Sequence, residues 1–129
     1  MPFKDAFEHA IDAKQRLAIP AKHRAMRDRL FGGVVLASGG AKIWVGLPME
    51  DHLRLYPEQV FEDLAKQLRG PLASGKTRSD FNVSYFGSAS DLDEDSVGRV
   101  VISKTMQAEA GLPNEVMVVG VNDHLQVRS

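Results

Sequence analysis

The chain has 129 residues, a formal net charge of −1 and no cysteine. This length suits one domain or two small lobes that share a core, and the lack of cysteine excludes disulfides and thiolate metal sites, as expected in a reducing cytoplasm. No apolar run approaches the roughly 18 residues of a membrane span, no signal-peptide pattern opens the chain, and the net charge gives no general attraction to nucleic acid.

The first predicted elements are a turn, a short strand and a helix. Asp12 can accept hydrogen bonds from the backbone amides that follow it, which closes a tight turn. In the strand 16–19, alternation puts the leucine and the isoleucine on one face and the arginine on the other. The helix that follows enters through Pro20 and is predicted to end at the glycine pair 32–33.

Basic residues concentrate around these elements. Between Lys14 and Arg29, six basic side chains are accompanied by one acidic side chain, Asp28, whereas acidic residues cluster at 91–95. A solvated helix face is one explanation of such a stretch, and a surface for an anionic partner is the alternative.

Two strands are predicted next, at about 42–47 and 52–56, and a helix follows from Pro57. Apolar residues of this helix recur at helical spacing. Its acidic residues lie near its start, where they complement the positive end of the helix dipole.

The segment GPLASGKT, residues 70–77, matches the spacing G-x-x-x-x-G-K-[S/T] of a phosphate-binding P-loop. A P-loop requires a buried strand before the glycines and a helix that opens at the lysine. Here a helix precedes the match, and no convincing helix follows it. We therefore interpret residues 70–80 as a polar linker between two halves, 1–69 and 81–129, and expect neither nucleotide binding nor enzymatic activity.

The second half repeats the first. Residues 94–108 align with 11–25, and residues 122–127 align with 50–55 in the same order. The repeat predicts a turn at Asp95, a strand at 99–102, a helix capped by Ser103, and a hairpin of strands 115–121 and 124–127. Residues 81–89 fit a strand and a helix equally well.

The repeated turn and strand resemble the motif of the MraZ family of bacterial transcriptional regulators, which are relatives of the AbrB-type swapped-hairpin DNA-binding proteins. The family motif, Asp-x-Lys-Gly-Arg-apolar-x-Ile-Pro before a helix with an early arginine, is met first by Asp12, Lys14, Arg16, Leu17, Ile19, Pro20 and Arg24, and again by Asp95, Gly98, Arg99, Val100 and Ile102. The segments LYPEQVFEDL and AGLPNEVMVVGVNDHLQV also resemble the family. Gln15 replaces the motif glycine, which costs about 1 kcal/mol if the turn requires a positive φ.

This resemblance implies a mixed α+β fold. Two pseudo-symmetric swapped-hairpin repeats, 1–69 and 81–129 with the linker 70–80, would share one double-split β-barrel with flanking helices. It also implies a cytoplasmic, nucleoid-associated, ring-like homo-oligomer without a cofactor. This assembly would bind short repeats of double-stranded DNA in the promoter of the cell-division and cell-wall gene cluster.

The residue types agree with such a role. Arginine can contact guanine with two hydrogen bonds, and lysine suits phosphate. The predicted DNA contacts are Arg16, Arg99, Lys14, Lys22 and Arg24, and the residues predicted to form and orient the turns are Asp12, Asp95 and Gly98. The alternative for each motif is an Asp–Arg pair that only closes a turn.

Two other functions remain as rivals. One is a protein-interaction module, such as an antitoxin-like AbrB relative with little DNA affinity, and the other is a nucleotide-dependent enzyme that uses residues 70–77. The four histidines do not have the spacing of metal ligands, so no metal site is predicted, and His52 and His124 are interpreted as structural residues at strand starts.

Overall fold

The computed structural model describes residues 3–37, 42–68 and 87–129, and only the backbone is described for residues 32–37 and 68. The predicted linker 70–80, with its P-loop-like match, lies outside the described residues, as does most of the ambiguous segment 81–89.

The described residues form eight strands and three helices. In chain order they are β1 (Ala6–Ala10), β2 (Arg16–Ala18), α1 (Ala21–Ala37), β3 (Ile43–Pro48), β4 (His52–Pro57), α2 (Glu58–Leu68), β5 (Ser90–Asp93), β6 (Arg99–Val101), α3 (Lys104–Glu109), β7 (Glu115–Val121) and β8 (His124–Arg128). Within these residues no helix is long and apolar enough to cross a membrane.

The strands form two antiparallel sheets. Six of them lie in the order β1-β7-β8-β4-β3-β5, and β2 pairs with β6 in a separate two-stranded ribbon. The mixed α+β class is therefore confirmed, but the described strands do not close into the double-split β-barrel that the resemblance implies. The six-stranded sheet stays open because its edge strands β1 and β5 do not pair with each other, and the chain leaves each edge through a turn into the ribbon.

The strand order of the six-stranded sheet is symmetric about its centre. β4 and β8 meet at its centre, β3 and β7 flank them, and β5 and β1 form the edges. The first strand of each half pairs with the other half, since β1 pairs with β7 and β5 pairs with β3. The two halves consequently contribute to one continuous sheet.

The main core lies between the ribbon and one face of the sheet. The inward side chains of the ribbon segments, Leu17, Ile19, Val100 and Ile102, are each no more than 1% exposed. They pack in one cluster with apolar residues of the central strands, among them Trp44, Leu53, Leu55, Leu125 and Val127. The predicted inward and outward faces of both short strands are thus confirmed.

Helix α2 covers part of the opposite face of the sheet. Its Val60, Phe61 and Leu64 pack against Val45 and Leu47 of β3 in a second hydrophobic cluster. This contact confirms the amphipathic helix predicted from Pro57, although β4 ends at Pro57 and α2 begins at the next residue.

Several boundaries follow the sequence prediction and others do not. Ser103 caps α3 as predicted, because its Oγ accepts a hydrogen bond from the Met106 amide at 3.0 Å. The hairpin of β7 and β8 turns at Asn122, which has φ 62. In contrast, α1 does not end at residues 32–33 but continues to Ala37. A glycine costs about 1 kcal/mol in a helix interior, which weakens a helix without terminating it.

Candidate nucleic-acid interface

The first turn is organised by one carboxylate. Asp12 Oδ1 accepts hydrogen bonds from the backbone amides of Lys14 at 2.9 Å and Arg16 at 2.8 Å, and Oδ2 accepts one from Arg16 Nε at 2.9 Å. The bond from the Arg16 amide is the main cause of the lowered pKa of Asp12. The carboxylate therefore stays ionised while it holds both the turn and the base of the arginine side chain.

The second turn repeats this arrangement. Asp95 Oδ1 accepts from the amides of Val97 at 2.9 Å and Arg99 at 2.8 Å, and Oδ2 accepts from Arg99 Nε at 3.0 Å. The pKa of Asp95 is lowered, again mainly by the bond from the arginine's own amide. Two local sequences of the same pattern thus produce the same geometry.

Each arginine keeps its terminal nitrogens available. The side chains of Arg16 and Arg99 are both 31% exposed. Asp12 and Asp95 bind only the Nε atoms, and within the described part of the chain the Nη atoms have no hydrogen-bond partner. A guanidinium held in this way can still offer two parallel donors to a ligand.

The ribbon brings the two arginines to one face. Arg16 lies opposite Val101, and Arg99 lies opposite Ala18. Because the neighbouring pairs carry the backbone hydrogen bonds, these are the closer, non-hydrogen-bonded pairs. The arginines are diagonal neighbours, for which a separation of about 7–8 Å is typical.

The residue directly before the arginine has a positive φ in both turns. Gln15 has φ 62 and Gly98 has φ 89. In the second turn Arg24 lies over Gly98, where an added Cβ would be 2.6 Å from Arg24 Nε, so a side chain at this position would displace the arginine and strain the backbone. In the first turn Gln15 instead donates from Nε2 to the Ile102 carbonyl at 2.8 Å and to Gln107 Oε1 at 2.9 Å.

The predicted phosphate contacts lie in different surroundings. Lys14 is exposed in the first turn beside Arg16, whereas Lys22 is 67% exposed and pairs with Asp5 at 2.9 Å. Arg24 is half-buried, donates from Nε to the Ile19 carbonyl at 3.0 Å, and covers the second turn rather than the first. The structure thus places Lys14 at the first turn and Arg24 at the second. Lys22 lies at the start of α1, where it pairs with Asp5.

The basic stretch 14–29 is not a uniform surface. Arg27 is 1% exposed and binds Glu94 through two hydrogen bonds of 2.7 and 3.1 Å. Its guanidinium also lies 5.2 Å from the centre of the Trp44 ring. One signal could have revealed this burial. His23 and Arg27 are four residues apart on a helix, and apolar residues are too sparse there to fill the inward stripe alone.

The two histidines at strand starts have the same local contacts. His52 Nδ1 lies 2.8 Å from Asp51 Oδ1, and His124 Nδ1 lies 2.7 Å from Asp123 Oδ1. The Nε2 atom of each ring also has a neighbour, the side chain two residues further along the strand. Both rings are therefore held by protein atoms, which fits the structural role predicted for them.

Comparisons with known proteins identify relatives of this chain. The sequence model of the MraZ family, described as "MraZ protein, putative antitoxin-like", matches residues 3–81. A protein named "Transcriptional regulator MraZ" from Roseiflexus sp. (strain RS-1) is 34% identical over 126 residues, which cover 97% of this chain and 79% of that protein. A protein of the same name from Nitrosomonas europaea is 36% identical over 126 residues, with the same two coverages.

These relatives place the chain in the class of transcriptional regulators. Within that class the family is defined by matches that span most of the sequence. The chain belongs to the MraZ family.

Proposed function

We propose that this regulator binds duplex DNA through the β2–β6 ribbon, and that Arg16 and Arg99 each contact the major-groove edge of a guanine. One observation carries the proposal: both arginines lie on one outward face and are fixed at Nε, and no described residue binds their terminal nitrogens. A two-stranded ribbon fits the major groove, where arginine binds guanine O6 and N7. The spacing of about 7–8 Å between diagonal neighbours is close to two base steps of roughly 3.4 Å.

The surrounding residues would position the ribbon on the backbone. Lys14, Lys22 and Arg24 contact phosphates in this proposal, while Asp12, Asp95 and Gly98 hold the turns. Each reading arginine is paired with an aspartate, so the two Asp–Arg pairs add no net charge. The salt dependence of binding should therefore come from the phosphate contacts rather than from the arginines.

Further details come from the family resemblance alone. We infer that the targets are short promoter repeats of the cell-division and cell-wall gene cluster, and that the two halves are swapped-hairpin repeats. We also infer a ring-like homo-oligomer at the nucleoid, without cofactor or nucleotide. Assembly helps because one subunit makes few basic contacts, and linked subunits on spaced repeats gain affinity by avidity.

The test is a titration of the purified protein on its own upstream duplex and on a scrambled duplex at several salt concentrations, followed by fluorescence anisotropy. Arg16→Ala and Arg99→Ala should each reduce discrimination by about 1–3 kcal/mol. Lys22→Ala should weaken both duplexes equally and reduce the salt slope by about one. Arg29→Ala, which changes an exposed arginine of α1 outside the ribbon, is the matched control.

Melting temperatures of the variants separate recognition from folding. Both arginine variants should stay folded, because neither side chain enters the core. An arginine variant that unfolds, or that keeps full discrimination, would show that its turn is structural. The description "antitoxin-like" keeps a protein-interaction module as the rival, and that function predicts tight binding to another protein with no preference between the duplexes.

A further inference from the structure

Exposed apolar side chains concentrate beside the second turn. Among the described residues, the exposed large hydrophobic side chains are Leu30, Val97 and Val101. Two of these three lie in the second turn and its strand, where Val97 is 63% and Val101 is 56% exposed. The corresponding positions of the first half are Lys14 and Ala18, so this apolar character belongs to the second half alone.

Val101 lies between the two arginines. It is directly opposite Arg16 across the ribbon, and it is two residues from Arg99 on the same strand and the same face. Ala18 holds the equivalent place opposite Arg99. The outward face is therefore a block of four side chains in which the two arginines alternate with Val101 and Ala18.

We propose that Val101 reads the 5-methyl group of a thymine next to a guanine contacted by one of the arginines, and this inference rests on the DNA-binding function proposed above. The thymine methyl is the apolar feature of the major groove, and small apolar side chains recognise it. A side chain directly opposite Arg16 faces the same base edges as that arginine. Ala18 is shorter, so the second half carries the methyl contact and the bound ribbon has a defined direction along the DNA.

The experiment first selects the preferred site from a pool of random duplexes with the full-length protein. Each thymine of that site is then replaced singly by deoxyuridine, which removes only the methyl group. One replacement should weaken binding of the wild type about fourfold, as expected for one methyl-sized group. Val101→Ala should abolish this difference while binding the uracil duplex as the wild type does.

Ala18→Val is the matched gain-of-contact variant. In this variant, removal of the methyl group from a second thymine should also weaken binding. The reason is that the variant places the same side chain at the equivalent position opposite Arg99. Val97→Ala should leave unchanged the loss of affinity that follows replacement of the first thymine by deoxyuridine. If Val97→Ala removes that sensitivity and Val101→Ala does not, the assignment to Val101 is wrong.

The remaining outcomes separate this inference from the proposed function. If no duplex is enriched over the pool, the DNA-binding function fails. If a site is enriched but no thymine is sensitive to loss of its methyl group, only the role of Val101 is overturned. Val101 would also lose this role if Val101→Ala dissociated an assembly in the absence of DNA, since the valine would then pack on another copy.

Discussion

At the scale of single residues, the two Asp–Arg turns differ most at Gln15 and Gly98. Both have a left-handed backbone, which costs a residue with a side chain about 1 kcal/mol relative to glycine. Gln15 offsets this cost through its hydrogen bonds to the carbonyl of Ile102 and to Gln107 Oε1, both in the other half. Contact between the two halves thus compensates for the strained backbone at Gln15.

Paired substitutions at this position separate the two effects. Gln15→Ala keeps the strain and loses both side-chain hydrogen bonds, so we expect a loss of about 1–2 kcal/mol in the free energy of unfolding. Gln15→Gly loses the same bonds but relieves the strain, and should lie within about 1 kcal/mol of the wild type. Urea denaturation measures both. Equal free energies of unfolding for the two variants would show that the backbone at residue 15 is not strained.

His23 is the second residue with an unusual environment. It is 1% exposed, its Nε2 atom has no hydrogen-bond partner among the described residues, and its ring packs edge-on against Phe3 and Phe7. Burial lowers its pKa. The equivalent position in α3 is Met106, which is also buried.

This burial predicts a loss of stability in mild acid. Below about pH 6.5 the unfolded chain binds a proton at His23 that the folded chain does not bind, so the free energy of unfolding falls as the pH decreases. The slope per histidine is at most about 1.4 kcal/mol per pH unit. In His23→Met, which copies the second half, the loss between pH 7.5 and 5 should be smaller.

Urea denaturation across that pH range measures the difference between the two proteins. An unchanged pH dependence in His23→Met would move the cause to His124, whose pKa is also lowered by burial.

At the scale of elements, the Arg27–Glu94 pair joins α1 to the end of β5. Glu94 also accepts a hydrogen bond from Trp44 Nε1 at 3.0 Å, so one buried carboxylate connects helix, strand and turn. Glu94 directly precedes Asp95, the residue that organises the second turn. Helix α1 of the first half therefore fixes, through Arg27, the residue that directly precedes the Asp95–Arg99 turn of the second half.

Removing one partner of this pair should be severe. Arg27→Met leaves Glu94 buried without its counter-charge, and we expect a loss of about 3–5 kcal/mol. Arg29→Met, the same change at an exposed position of α1, should stay within about 0.5 kcal/mol of the wild type. The double variant Arg27→Met with Glu94→Gln should recover part of the loss, because an amide oxygen can still accept from Trp44.

Unfolding in urea, followed by tryptophan fluorescence, measures all three variants. A double variant no more stable than Arg27→Met alone would mean that the arginine acts through packing rather than charge.

At the scale of the whole molecule, the described residues cover one face of the sheet unevenly. Helix α2 packs on Val45 and Leu47 of β3. The equivalent residues of β7 are Met117 and Val119, which are half-buried and belong to neither hydrophobic cluster of the described residues. We propose that this apolar strip forms the contact between copies that the proposed homo-oligomer requires.

Substitution of the strip tests the assembly. Val119→Lys should reduce the mass measured by light scattering and weaken binding to DNA with repeated sites more than binding to a single site, because avidity is lost. Leu30→Lys introduces the same change at an exposed residue of α1 and should alter neither. If Leu30→Lys dissociates the assembly and Val119→Lys does not, the contact lies on α1.

The sequence by itself determined the features that depend on near neighbours. The Asp12 and Asp95 turns, the Ser103 cap and the Asn122 hairpin are each completed by atoms within a few residues, so a local pattern is sufficient to predict them. Strand faces and the helix α2 followed from hydrophobic periodicity for the same reason. The repeat also identified the two arginines as equivalent.

Tertiary structure decided what depends on distant partners. The short polar strands β1 and β5 form because β7 and β3 offer them open edges, and their own sequences carry little strand signal. Arg27 is buried because Glu94 neutralises it, although its own stretch of sequence reads as a basic surface. The two arginines share a face because β2 pairs with β6 in one particular register. Periodicity describes which face of a strand is apolar, but pairing between segments far apart in the chain is chosen by the packing of the whole core.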